Sequence, residues 1–192
     1  MFAEESLPLA RWLALELAPT ILGNKPATIL CLRNYKFCNL LNLWHSYKTT
    51  LFKNTTLEYI VLRTTKDTEI ILFYRRQLVK KCLRRRCCYE FLARRGYPVT
   101  QGITAVLQTL HRKFRHGCPH EIGIILGIPL KDVIGFMEIR CPLKITGQWK
   151  VYGCSENSLR LMRCYANDRL RMERLLPNLS SPYEVFTTRS IS

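Results

Sequence analysis

The sequence predicts an α+β fold, a small antiparallel sheet packed with about five or six helices. Three observations carry that expectation. Residues 57–63 and 69–74 are rich in β-branched and aromatic side chains and flank Thr65-Lys66-Asp67-Thr68, the pattern of a β-hairpin near 57–75. Residues 145–152 alternate like one further strand near 144–152. Elsewhere the apolar residues recur at helical spacing, and the helices do not alternate with strands, which excludes a doubly wound parallel sheet.

Taken in order, residues 7–17 read as a helix halted by Pro19, and Lys25-Pro26 as a turn before the apolar run 27–32. Residues 33–56 show no clear period and read mostly as loop. After the hairpin, Val79, Leu83, Cys87 and Phe91 recur every four residues. One helix is therefore expected over 76–95, ended by Gly96 and Pro98. A helix over 103–115 follows, then two short ones opening at Pro119 and Pro129, since proline suits a first helical position. Ser155 is placed to cap a last helix reaching residue 175. Residues 1–176 form one domain on this reading, and 177–192 a mobile C-terminal tail.

Composition narrows the class of protein. Of 192 residues, 47% are hydrophobic and 23% charged, enough to build a core and too apolar for general disorder. Lys and Arg number 30 against 14 Asp and Glu, a net charge of +16 that favours a polyanionic partner or simply a soluble surface. The start, Met1-Phe2-Ala3-Glu4-Glu5, is acidic where a secretory signal is basic, and no stretch is long and apolar enough to insert in a membrane. The nine cysteines are odd in number and form no C-x-x-C pair, so free thiols in a reducing cytoplasm are expected.

The most informative stretch is 118–136. With Pro119 opening a helix, His120 and Glu121 fall in its first turn, where Glu121 either caps the helix or joins His120 as a proton-transfer pair facing a cleft. His116, Cys118 and His120 suggest a metal, but Gly117 and Pro119 break any helix that would align them and no second ligand pair follows, so no metal is assigned. No glycine-rich phosphate loop or nucleophile elbow is present, and the cofactor is unknown. Gly123, Gly127, Ile128, Val133 and Phe136 have the spacing of a helix-turn-helix over 119–137. Its reading positions, including Leu130, Lys131, Asp132, Ile134 and Gly135, carry few groups that hydrogen-bond base edges. On the strand near 144–152, Trp149 and Val151 share one face and Lys150 and Tyr152 the other, so one pair is expected in the core and the other in a pocket with His120.

The blocks Pro119-His120-Glu121-Ile122-Gly123, then Leu126-Gly127, Pro129-Leu130, Asp132-Val133 and Gly135-Phe136, then Gly147 and Trp149-Lys150-Val151-Tyr152, resemble a bacterial domain-of-unknown-function family. That family is commonest in anaerobic Gram-positive bacteria. The Gly96-Tyr97-Pro98 turn and the stretch from Ala18 to Ala27 resemble it too, so the likeness covers roughly residues 8–165. It implies no activity. Leu17-Ala18 stands where the family pattern has a His-Cys pair, which weakens any mechanism using that cysteine; Ile128 replaces an aromatic residue and Lys131 an acidic one.

Two functional readings follow. The first is a cytoplasmic domain, a binding protein or an enzyme, for a small anionic ligand. His120 and Glu121 are its candidate catalytic residues and Lys25, Asp132, Lys150 and Tyr152 its ligand contacts. The second is a non-specific nucleic-acid-binding protein using Arg84, Arg85 and Arg86 on the basic helix 75–95, or the degenerate helix-turn-helix. Oligomeric state leaves no signal in the sequence.

Overall fold

The computed structural model describes residues 4–35, 38–53, 55–138 and 142–186. Strands β1 (Ala27–Tyr35), β2 (Cys38–Asn39), β3 (Leu57–Thr64) and β4 (Thr68–Arg75) form an antiparallel sheet in the order β2-β1-β4-β3. β3 and β4 are the expected hairpin, its turn clasped by the hydroxyls of Thr65 and Thr68 at 2.8 Å. The apolar run after Pro26 pairs with β4 from Ala27–Tyr74 to Arg33–Thr68. Because successive side chains point to opposite faces, Leu30, Leu32, Ile71 and Phe73 enter one core while Ala27, Leu72 and Tyr74 enter a second. Helices therefore cover both faces, and the α+β class stands.

On the first face lie α1 (Leu7–Glu16), α3 (Leu40–Leu51) and the C-terminal half of α9 (Glu156–Leu175). Trp44 of α3 is wholly buried at its centre, edge-on to Phe52, Tyr59 and Phe73, and donates its indole N–H to Glu69 at 3.2 Å. On the second face lie α4 (Arg76–Leu83), α5 (Arg86–Arg94), α6 (Ile103–Lys113), α7 (Ile122–Ile125) and α8 (Leu130–Glu138). A short helix α2 (Ala18–Ile21) and the hairpin β5 (Leu143–Thr146)–β6 (Lys150–Tyr152) complete the described fold.

Several expectations are corrected. Pro19 does not merely stop a helix; it sits in the first turn of α2, where its missing N–H costs nothing. Residues 40–51 are helical because Leu40, Leu41, Trp44 and Leu51 all reach the core, a stripe that the polar residues between them hide. The basic helix breaks at Arg84-Arg85, where Arg85 is extended. The break shifts the apolar phase by one residue, burying Cys88 and Leu92 and leaving Cys87 exposed. The stretch 144–152 is a separate two-stranded hairpin, not a strand of the main sheet, and an irregular register between Leu143 and Ile145 upsets its alternation. Val151 and Tyr152, neighbours on opposite faces of β6, are both buried, Tyr152 against Gly135 of α8. The segment expected as a mobile tail folds back: Tyr183, Val185 and Phe186 are buried in the first core, and Tyr183 hydrogen-bonds Ser6. Residues 187–192 lie outside the described residues.

Seven cysteines, Cys31, Cys82, Cys87, Cys88, Cys118, Cys154 and Cys164, are free thiols. Cys141 and the Cys38 side chain lie outside the described residues. Among the described residues no helix is long and apolar enough to cross a membrane.

Candidate functional site

Two glycines set the geometry at which α7, α8 and the β5–β6 hairpin meet. Gly127 turns the chain between the helices with φ +82°, a conformation that side chains disfavour. Gly135 lies so close to β6 that a Cβ there would stand 2.4 Å from Cγ of Tyr152. Tyr152 is thus packed on α8, buried, and is not among the residues lining the cavity that holds His120.

Asp132 ties this junction together. Its side chain is 1% exposed, and its carboxylate accepts four hydrogen bonds: Lys131 Nζ at 2.6 Å, Tyr152 N at 2.9 Å, Trp149 Nε1 at 2.9 Å and Ser158 Oγ at 2.6 Å. Four donors fill the acceptor capacity of a carboxylate. Burial raises the Asp132 pKa, and these donors more than offset it, so the group stays below the ordinary carboxylate range. Asp132 therefore touches the site mainly by fixing the Trp149 indole.

Between α7, α8 and Trp149 lies a cavity of about 230 Å³. Its walls are apolar, with Ile122, Leu126, Ile128, Val133 and the Trp149 ring, and polar groups stand at Cys118, His120 and Lys150. Phe136, 41% exposed, organises the rim: the His120 ring meets it edge-on at 4.8 Å, and Lys150 Nζ stands 5.5 Å from its centre. Neither the His120 nor the Lys150 side chain has a hydrogen-bond or carboxylate partner among the described residues.

A second cavity, about 190 Å³, lies on the other side of Leu126, Ile128 and Trp149 and is lined by Lys25, Gln148 and Tyr165. Lys25 Nζ lies over the Tyr165 ring, 5.4 Å from its centre. Burial pushes the Lys25 ammonium below its ordinary pKa, with Glu16 opposing the shift. Burial and nearby charges push the Tyr165 phenol up to about 12, so it keeps its proton at neutral pH.

Glu121 is placed otherwise than either sequence reading expects. α7 begins only at Ile122, after a tight turn in which Ile122 N bonds Pro119 O at 3.1 Å. Glu121 makes no capping bond; it is buried and accepts from Lys113 Nζ at 2.8 Å, away from the cavity that His120 reaches. Lys113 also lies over the Tyr97 ring at 4.5 Å, so the pair fastens the end of α6 to the start of α7. Burial raises the Glu121 pKa, and its hydrogen bonds and the Lys113 charge together more than offset this and hold the group low.

The helix-turn-helix spacing has a real counterpart, since a Cβ on Gly123 would meet Val133 at 2.7 Å. The face that would read DNA is covered, however. Asp132 and Gly135 are buried against β6, Lys131 bonds the Tyr152 carbonyl at 2.9 Å, and Phe136 is turned to solvent. Arg84, Arg85 and Arg86 are exposed at the α4–α5 break, with Arg86 paired to Glu90 at 2.9 Å. The structure places His120, Lys150 and Asp132 at one cavity and Lys25 in its neighbour, whereas sequence reasoning put all four in one site. That reasoning missed Phe136 and Tyr165 as site residues, the latter because nothing local on α9 marks Tyr165 as facing Lys25. Among the described residues no group of three His, Cys, Asp or Glu is placed to hold a metal ion.

These features define an α+β protein with helices on both faces of an antiparallel sheet and two adjoining cavities beside a β-hairpin. The chain belongs to the family described as protein of unknown function (DUF3793), whose model matches residues 13–186. No curated protein and no solved structure matches it.

Proposed function

We propose that the protein binds a small anionic ligand with an apolar body in the cavity beside α7 and α8. One observation carries this reading: an apolar-walled cavity has two unpartnered nitrogen-bearing side chains, His120 and Lys150, on its rim around Phe136. The walls suit a flat or branched hydrocarbon, and the ammonium and imidazole suit a carboxylate or similar anion. Drug-sized ligands occupy roughly 300–1,000 Å³, so this smaller cavity suits a molecule of one or two rings. Asp132 acts as a positioning residue through Trp149. Calorimetric titration with a panel from benzoate to naphthoate tests the reading. At least one member binds, and Lys150→Gln weakens it about tenfold. Absence of binding across the panel, or binding indifferent to both Lys150→Gln and His120→Gln, overturns it.

A second reading, non-specific contact with nucleic acid, is favoured by a separate feature. Arg160, Arg163, Arg171 and Arg174 are exposed on the outward face of α9, within an arc of about 80° at helical spacing. With Arg84 and Arg85 they offer phosphate contacts and no base readout. Each phosphate neutralised releases counterions, so affinity for a duplex falls steeply with salt. Replacing Arg84, Arg85 and Arg86 by Gln flattens the slope of log affinity against log salt by roughly two to three units. Sequence-specific binding abolished at Lys131 or Ile134 instead restores the helix-turn-helix reading.

A further inference from the structure

The cavity holding Lys25 has a different character from its neighbour. Its lining mixes apolar Ile29, Leu126, Ile128 and Trp149 with polar Thr28, Gln148 and Tyr165, and its one ionisable amine is half-buried. Lys25 Nζ reaches no hydrogen-bond acceptor and no carboxylate among the described residues; its contact is the face of Tyr165. The two nearby carboxylates are already engaged, Glu16 by Arg169 at 3.0 Å and Asp168 by Arg171 at 3.3 Å. Asp168 is also packed against Gly23, where a Cβ would stand 1.9 Å from its Oδ2. The loop carrying Lys25 is fixed: Lys25 N bonds Pro19 O at 3.2 Å, and Arg75 donates to Gly23 O at 2.8 Å. An amine half-buried in a preformed cavity, with no carboxylate bonded to it, is the arrangement that activates lysine as a nucleophile.

We propose that Lys25 is an imine-forming amine for a small, apolar carbonyl compound bound between Trp149, Ile128 and Tyr165. The neutral Nζ adds its lone pair to the carbonyl carbon. The C=N bond then forms as the carbonyl oxygen leaves as water, taking the two amine protons, and no oxidant or reductant takes part. The lowered pKa supports the step by enlarging the neutral fraction at pH 7, and Glu16, Asp168 and Tyr165 are the titratable groups facing this region. This site is separate from the rim formed by His120 and Lys150, so the two readings stand or fall independently.

The test is labelling of the full-length folded protein with benzaldehyde and cyanoborohydride at pH 7, mapped by mass spectrometry. Lys25 is modified severalfold faster than the exposed Lys81 and Lys144, because the cavity gathers the aldehyde beside its amine. Its rate saturates with aldehyde, the preference vanishes in denaturant, and Lys150→Gln leaves it unchanged. Labelling at Lys25 no faster than at Lys81, or rising without saturation, overturns the proposal. The comparison is made within the wild-type chain, so it holds whatever Lys25→Met does to folding; if that variant folds, it loses the saturable label.

Discussion

Replacing Asp132 by Ala lowers stability by about 3–5 kcal/mol, as loss of one partner from a buried charged network does. Trp149 Nε1, Ser158 Oγ and Tyr152 N all lose their acceptor, and the first two point from different elements toward the same emptied place. Lys131 is about one-third exposed and turns to water, so it adds little. The midpoint of urea unfolding falls while its slope holds, and ligand affinity in the His120–Lys150 cavity drops with it because the Trp149 wall is released. Asp132→Asn preserves shape but replaces one acceptor oxygen by a donor, so it recovers only part of the loss. The pH dependence follows in sign. Asp132 and Glu121 both have folded pKa values below their unfolded ones. Their contribution is therefore full above the unfolded carboxylate range, near pH 4, and is lost as pH falls through the folded values. Wild-type stability declines on acidification below about pH 4.5, and the Ala variant declines less steeply there. A variant as stable as the wild type at pH 7 shows that Asp132 is not the tie described.

How much of this was legible in the sequence depended on whether the signal was local. The β3–β4 hairpin was, because both strands and the turn residues lie within 19 consecutive positions and each follows its own rule. The helix expected over 76–95 was legible as helix but not as two, since the break at Arg85 serves the packing of Cys88 and Leu92 and leaves no glycine or proline to mark it. His120 and Lys150 were found from their residue types and neighbours, and they share a rim only because Phe136 stands between them. Glu121 and Tyr152 were misplaced for opposite reasons. Glu121 looked like a cap but found Lys113 eight residues upstream, and Tyr152 looked pocket-facing until Gly135 gave it room on α8. Both turned on a partner that periodicity does not register. The Lys25 cavity needed α9 folded back over α2, a contact between ends of the chain.

Gly127→Ala is expected to cost about 3 kcal/mol, and its effect on function is wider than on stability. Two penalties combine. The residue holds φ at +82°, where a Cβ costs about 1–2 kcal/mol, and that Cβ would stand 2.6 Å from Cδ of Pro26. Pro26 is a ring locked to the start of β1, whose carbonyl accepts from Arg75 N at 2.9 Å, so it cannot rotate away as a flexible side chain would. Relief must come from moving α7 away from β1. Leu126 and Ile128, the residues on either side, line both cavities, so this displacement alters the His120–Lys150 cavity and the Lys25 cavity together. Single-site variants at Lys150 or Lys25 disturb only their own cavity. Urea unfolding gives the stability change, and parallel calorimetry and aldehyde labelling give the two functional ones. A loss of both functions from one methyl group, with far-ultraviolet circular dichroism unchanged, marks Gly127 as the shared hinge of the wall between the cavities. If binding and labelling both survive a stability loss of that size, the two cavities do not depend on the placement of Leu126 and Ile128.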